Sequence, residues 1–148
     1  MKITASVSVR RKIGGKFPAG SHARALRAVK PKVVEGIDRA FAAEADVVSG
    51  KPWASRKEQP GGRRSFRKLL VLTGRMKRAA LAAAAMATIN GHVLYLQLRE
   101  PKRAKYHQAG TKRMARRRFF GVSKAAVQAL RRQLAGEAVR LFRAQRVD

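Results

Sequence analysis

The sequence predicts an α+β fold in which a small antiparallel sheet is packed by a long N-terminal helix and a C-terminal amphipathic helix. Two observations carry this prediction. Apolar and polar residues alternate over residues 2–9, which is the period of a half-buried strand, and residues 93–98 also suit a strand. Apolar residues recur at spacings of three and four after Ser21 and after Ser123, which is the period of an amphipathic helix. The 148 residues suit a single domain covering 1–148.

The first strand and the first helix are separated by a loop that Gly14, Gly15 and Pro18 mark. Ser21 is the predicted N-cap of the helix, and Pro31 either kinks the helix or restarts it. The apolar stripe of the second half ends before Gly50, and its members are Val34, Ile37, Phe41, Ala45 and Val48.

Residues 50–66 read as a long, exposed, basic loop, which is unusual unless it binds something or is ordered by a neighbour. The segment 79–88 is ambiguous: its alanines favour a helix, whereas Asn90-Gly91 is a strong hairpin signal. We predict the hairpin, with Leu94, Leu96 and Leu98 sharing one face of its second strand.

The remaining elements are a short helical turn, a basic run and a final helix. The turn covers 102–109 and stops at Gly110, a residue type that favours helix ends. Basic residues are densest over 112–118. Ser123 is the predicted cap of the last helix, whose apolar stripe consists of Val127, Leu130, Leu134, Ala138 and Leu141.

Charge is the most unusual property of the composition. The chain has 35 Lys and Arg against 8 Asp and Glu, a formal net charge of +27. Such self-repulsion opposes compaction, so we expect phosphates, acidic protein surfaces or salt to supply counter-charge. Much of the 45% apolar fraction is Ala, and we therefore expect subunit contacts or an acidic partner to add stability.

The sequence also excludes several classes of protein. There is no Cys, hence no disulfide and no thiolate metal ligand. No apolar run is long enough to cross a membrane, and the N-terminus lacks the apolar stretch of a signal peptide. We expect a soluble protein, cytoplasmic when made.

Four short motifs occur in order along most of the chain. The first is Gly50-Lys51-Pro52-Trp53, and the second runs from Leu69 to Met76 and contains Leu70, Thr73 and Gly74. The third is Tyr106-His107-Gln108-Ala109-Gly110. The fourth is Arg116-Arg117-Arg118-Phe119-Phe120-Gly121-Val122-Ser123.

In their order and spacing these motifs resemble the phage virion-morphogenesis, or tail-completion, family. The resemblance implies an α+β subunit that forms a ring, often six-fold, at the tail end or in the neck of a long-tailed bacteriophage. Such a subunit completes the tail or joins it to the filled head. The implied partners are neck, connector and tail-tube proteins, with DNA within reach in the channel, and the implied location is the virion, after assembly in the host cytoplasm.

An enzymatic role is not indicated. Thr73-Gly74 lacks the glycine-rich framework of a phosphate loop and is better explained as a turn entering a strand. His107 has few carboxylates to orient it, so with Gln108 it is expected to make structural hydrogen bonds near Gly110. The eight acidic residues form no paired-carboxylate motif. We predict no catalytic residue, cofactor or metal.

The predicted contact residues are one aromatic side chain and several cations. Trp53 anchors either a neighbouring subunit or its own core. For Phe119-Phe120, entry of alternate residues into the core and a subunit contact is favoured over stacking on bases. Subunit, partner or DNA contacts are expected from Trp53, Arg63, Arg64, Arg116, Arg117 and Arg118.

The rival interpretation is a small basic nucleic-acid-binding module of the ribosome-associated or nucleoid type. It accounts equally well for the charge of +27. It accounts less well for the four motifs in order, and the sequence has no zinc-finger, KH or RRM signature.

Overall fold

The computed structural model describes residues 2–8, 20–54, 74–91, 93–99, 102–112 and 115–144. Within these ranges the fold is α+β, as predicted, with a three-stranded antiparallel sheet and four helices. The elements in chain order are β1 (Lys2–Ser8), α1 (Ser21–Ala42), α2 (Arg75–Ala85), β2 (Thr88–Asn90), β3 (Val93–Arg99), α3 (Lys102–Ala109) and α4 (Lys124–Ala144).

Strand β3 lies in the middle of the sheet, between β1 and β2. Its Leu94, Leu96 and Leu98 are buried, so the predicted alternation is confirmed. The register sets these leucines opposite the apolar residues of β1, since Ile3 pairs with Leu98 and Ala5 with Leu96. The half-buried face of β1 thereby extends the same core.

Helix α1 is the central element, because it contacts α4, α2 and the sheet. It is a single helix that includes Pro31, so the predicted restart is wrong. The predicted cap is also wrong: left-handed Gly20 is the N-cap, and Ser21 is already helical and fully buried. The helix ends at Ala42, which places the predicted stripe residues Ala45 and Val48 in the turn that follows.

The alanine-rich segment forms helix α2, not the first strand of a hairpin. A hairpin turn does exist, but it follows Asn90, which is itself paired with Val93, and the first strand is only the three residues Thr88–Asn90. Ala80 and Ala84 are buried one helical turn apart, and α2 packs on α1 and β3. Gly74 is accordingly the N-cap of a helix, so the strand-entry turn predicted there is wrong.

Helix α3 ends before Gly110, and α4 begins after Ser123, both as predicted. The Ser123 hydroxyl accepts a hydrogen bond from the Ala126 N–H at 3.2 Å, which is the expected cap. Helix α4 packs mainly on α1 and not on the sheet, where α2 takes its place. Within the described ranges, no helix has the length and apolarity needed to span a membrane.

Candidate functional site

Three of the four sequence motifs meet at the end of α1, around an aromatic centre. Phe41 makes an edge contact with Trp53, with ring centroids 5.8 Å apart, and a tilted contact with Phe119 at 5.6 Å. All three rings are at most 7% exposed. We call the segments gathered here, residues 44–54, 106–110 and 116–123, the motif junction.

The segment 44–54 reverses the chain after α1 and binds the other two segments. Ala45 bridges to Pro52, and the Trp53 N–H donates to the Glu44 carbonyl at 2.7 Å. The Val47 N–H donates to the Arg118 carbonyl at 3.0 Å. In the described part of the predicted exposed loop 50–66, Trp53 is buried and its four neighbours in 50–54 are exposed, while residues 55–66 lie outside the described ranges.

Asp46 holds this reversal together. Its Oδ1 accepts the Val48 and Ser49 N–H groups, each at 2.8 Å, and its Oδ2 lies 3.8 Å from Arg118 Nε. Burial raises the pKa of Asp46, but the hydrogen bonds from Ser49 and Val48 and the Arg118 charge outweigh it and hold the pKa below 3.8. The carboxylate is therefore the stabilised form.

Gln108 joins the third motif to the fourth. Its Oε1 accepts the Phe119 N–H at 3.1 Å and the Phe120 N–H at 3.2 Å, and its Nε2 donates to the Phe120 carbonyl. The His107 carbonyl accepts the Arg117 N–H at 2.7 Å. The structural hydrogen bonds predicted near Gly110 are thus confirmed for Gln108.

Gly110 is required by both its conformation and its surroundings. It has a φ of +78°, in the left-handed region that favours glycine. A Cβ atom there would lie 3.1 Å from the Arg116 N atom and 3.2 Å from the Arg116 Cα atom. Gly121 lies against Val47 and Val48, where an added Cβ would come within 3.4 Å of both side chains.

The three consecutive arginines of the fourth motif have three different environments. Arg116 is exposed, and its Nε donates to the Gln108 carbonyl at 3.3 Å. Arg117 is only 6% exposed and donates from Nε and Nη2 to the Ala54 carbonyl, at 3.1 and 2.9 Å. Arg118 is half-buried beside Asp46.

Two predicted contact residues thus serve the chain's own core. Trp53 is 7% exposed and packs on Phe41. The sequence left open whether it anchors its own core or a neighbouring subunit, and this burial favours the core. Arg117 binds a carbonyl of the same chain. The alternating placement of Phe119 and Phe120 is wrong, because both rings are buried. Gln108 binds both of their N–H groups, so the segment lacks the alternation of a paired strand.

The other predicted residues divide into described and undescribed ones. Tyr106 is 42% exposed, with Lys105 Nζ 4.8 Å from its ring centroid. Gly74 lies apart from the motif junction, at the start of α2. Four predicted residues lie outside the described ranges: Arg63, Arg64, Leu70 and Thr73.

Sequence reasoning missed Asp46 and the Ala54 carbonyl as parts of the junction. Asp46 precedes Ser49-Gly50, and Asp in such a setting is a recognisable turn residue. The carbonyl of Ala54 carries no sequence signal, since any residue has one. Its role arises only because the fold brings Arg117 to it across 63 positions.

The junction offers hydrogen bonds, ion pairs and packed rings, without a cluster suited to binding a metal. Among the described residues, no group of three or more His, Cys, Asp or Glu side chains gathers closely enough to hold a metal ion. Comparisons with protein-family models, curated proteins and solved structures give no match to this chain.

Proposed function

We propose that this chain is a non-enzymatic structural subunit of a phage virion, which completes the tail or joins it to the head. It forms a homo-oligomeric ring, six-fold in our proposal, in the neck or at the head-proximal end of the tail. Neck, connector and tail-tube proteins are its partners, and DNA passes within reach in the channel.

The observation that supports this proposal most is the meeting of motifs in the motif junction. The resemblance rests on short stretches, and the first ends more than 50 residues before the third begins. A chance likeness gives no reason for the first stretch to share a cluster with the fourth, yet Trp53 and Phe119 both pack on Phe41, and Gln108 binds the Phe119-Phe120 segment. These three motifs therefore behave as parts of one structural unit.

The charge distribution supports docking on acidic partners. Most described carboxylates already lie beside cations of the same chain, as in the pairs Lys77–Asp38 at 2.6 Å and Arg24–Glu137 at 3.3 Å. Many exposed cations have no acidic side chain within ion-pair distance among the described residues, among them Lys112, Lys124 and Arg132. Electrostatics of this kind speed and orient docking more than they set the final affinity.

The first test is the mass of the purified chain in solution, measured by light scattering with and without duplex DNA. At about 0.3 M salt, where non-specific binding to phosphate is weakened, we expect a closed oligomer without DNA. Its copy number gives the ring symmetry. A chain that stays monomeric except on DNA would favour the nucleic-acid-binding module instead.

The second test examines the exposed end of the basic run in particle assembly. Arg116→Glu combined with Lys112→Glu reverses two exposed charges and leaves the buried Arg117 in place. We expect free heads and free tails in electron micrographs of particles assembled with this variant. The matched control, Arg27→Glu with Arg131→Glu, makes the same charge change on the helices and should join normally. If heads and tails join normally with both variants, the exposed surface around Lys112 and Arg116 is not the docking surface.

A further inference from the structure

A cleft of about 450 Å³ opens between the second half of α1, the turn that follows it and the start of α4. Its floor is made of small apolar side chains, including Ala40, Val47 and Ala129. At Gly36 helix α1 comes close to the residue that caps α4, since an added Cβ would lie 2.7 Å from Ser123 Oγ. The floor of the cleft therefore suits small side chains.

The rim of the cleft is cationic. Lys32, Arg39, Lys124 and Arg132 line it, against the two carboxylates Glu35 and Asp46. Both carboxylates are already engaged by their own chain. Glu35 binds Lys32 at 2.8 Å and also Arg39, and the Lys32 hydrogen bond lowers its pKa.

Lys124 and Arg132 remain available to a ligand. Both side chains are exposed, and neither has an acidic side chain within ion-pair distance among the residues that the structure describes. They lie eight positions apart on α4, about 12 Å along the helix axis. A segment lying along the cleft can therefore place one carboxylate near each of them.

Taken together, the dipoles of the two helices that have an end at the cleft also favour an acidic ligand there. The start of α4 brings the positive end of a 21-residue helix to the rim, and the first turn of α4 has no acidic residue. The C-terminus of α1 is the negative end of its helix dipole. Its Arg39 and Ala40 carbonyls, however, already accept the Ala43 and Ala45 N–H groups.

We propose that this cleft binds an acidic segment of a partner protein, with its small apolar side chains on the floor and its carboxylates on Lys124 and Arg132. The inference deepens the proposed function and rests on it for the partner's place in the virion. A second copy of the chain is disfavoured as occupant, because both surfaces would carry excess positive charge. Single-stranded nucleic acid is disfavoured because, among the residues that the structure describes, no aromatic side chain lines the cleft for bases to stack on.

The test is a titration of the ¹⁵N-labelled full chain with a short peptide of alternating Glu and Ala. The changes in the amide chemical shifts of the chain are measured at each step. We expect the shifts to concentrate at Gly36, Val48 and Ala129. A matched peptide of alternating Gln and Ala should leave these signals in place, since it keeps the small apolar side chains and lacks the carboxylates.

Two variants separate the cleft from diffuse charge attraction. Lys124→Gln with Arg132→Gln should weaken peptide binding about tenfold, equivalent to about 1.4 kcal/mol. The matched control, Arg131→Gln with Arg143→Gln, removes two exposed cations of the same helix outside the cleft and should weaken it less than about twofold. Ala129→Phe should block binding by filling the floor while every rim charge stays.

Three results would overturn the inference: no binding of the Glu peptide, shifts scattered over exposed cations, or equal weakening by the two charge-removing variants. A short DNA duplex that shifts the same cleft signals and displaces the peptide would overturn it too, since the cleft would then be a phosphate site. If the peptide binds in the cleft of a chain that forms no ring, the proposed function is wrong and this inference holds. If the chain forms a ring but its cleft does not bind the peptide, the proposed function holds and this inference is wrong.

Discussion

Gln108 shows what one residue contributes when its side chain joins two segments of a chain. One amide side chain meets the hydrogen-bonding needs of two N–H groups and one carbonyl in the Phe119-Phe120 segment. The sequence predicted a structural hydrogen-bonding role near Gly110. It could not predict the partners, because they are main-chain groups that become distinguishable only once the segments meet.

Gln108→Ala is expected to lower the free energy of unfolding by about 2–4 kcal/mol. The variant leaves the Phe119 and Phe120 N–H groups without their acceptor beside a buried aromatic cluster. Urea unfolding followed by Trp53 fluorescence measures the change. Gln128→Ala, an exposed glutamine on α4, should stay within about 0.5 kcal/mol of the parent chain. Equal effects of the two substitutions would contradict the role assigned to Gln108.

Asp46 makes the stability of the chain dependent on pH at the acidic end. Because its folded pKa is below its ordinary value of 3.8, its contribution is present above that value and is lost as the pH falls toward the folded pKa. Asp46→Asn keeps an acceptor for the Val48 and Ser49 N–H groups but loses the charge.

We expect Asp46→Asn to be less stable than the parent by about 1 kcal/mol at pH 7, and the difference to be smaller at pH 2. Urea unfolding of both proteins across this pH range measures it. Glu35→Gln is the control, since Glu35 also has a lowered pKa but lies on an exposed helix face, where its ion pairs contribute little. A difference between Asp46→Asn and the parent that is the same at both pH values would show that the Asp46 charge has no role.

At the scale of elements, the sequence predicted most helices and strands but not the nature of 75–85. The alternation in β3, the stop of α3 at Gly110 and the cap of α4 each follow from local chemistry. The error in the alanine segment has a local cause as well. A hairpin turn that follows Asn90 needs only a short flanking strand, so the helical preference of Ala79 to Ala85 prevails.

The crossing of α1 and α4 depends on a glycine facing a capping serine. Neither Gly36 nor Ser123 could be predicted as a packing pair, because nothing local relates two residues so far apart. Gly36→Ala brings a methyl group against the Ser123 side chain while favouring the helix intrinsically, so two opposing effects combine.

We therefore expect the free-energy change for Gly36→Ala to depend on residue 123. In a Ser123→Gly background, where the clashing atoms are gone, Gly36→Ala should be more favourable by about 1 kcal/mol than in the parent chain. Thermal or urea unfolding of the four proteins of this cycle measures the coupling. The control cycle pairs Gly136→Ala with Ser123→Gly and should be additive, because a Cβ at Gly136 meets nothing within 4 Å. Additivity in both cycles would mean that the helices do not constrain each other at Gly36.

At the scale of the whole molecule, a modest core carries a large excess of like charge. The buried cluster rests on leucines of β3, the inward face of α1 and the aromatic centre, while 35 cations face 8 acidic residues. The composition predicted this imbalance directly. It could not predict which cations are used internally, and Arg117 and Arg118 show that neighbours in sequence differ in this respect.

Salt is expected to stabilise the chain. Raising NaCl from about 0.05 to about 0.5 M screens the repulsion among unpaired cations more than it weakens the few ion pairs, and should raise Tm by about 3 °C or more. Differential scanning calorimetry measures the shift. A variant with Arg27, Arg131 and Arg143 each changed to Gln should show a smaller rise. A Tm that falls with salt would mean that the ion pairs outweigh the repulsion.

The motif junction also sets an order of events during synthesis. Phe41 and Trp53 are made first, and Phe119, the other ring that packs on Phe41, follows 66 residues after Trp53. Until then the growing chain carries an incomplete aromatic cluster and lacks the Arg117 contact that fastens Ala54. The surfaces around the end of α1 therefore take their final shape only after residue 119 has been made, which delays recognition by any partner that binds them until that point of translation.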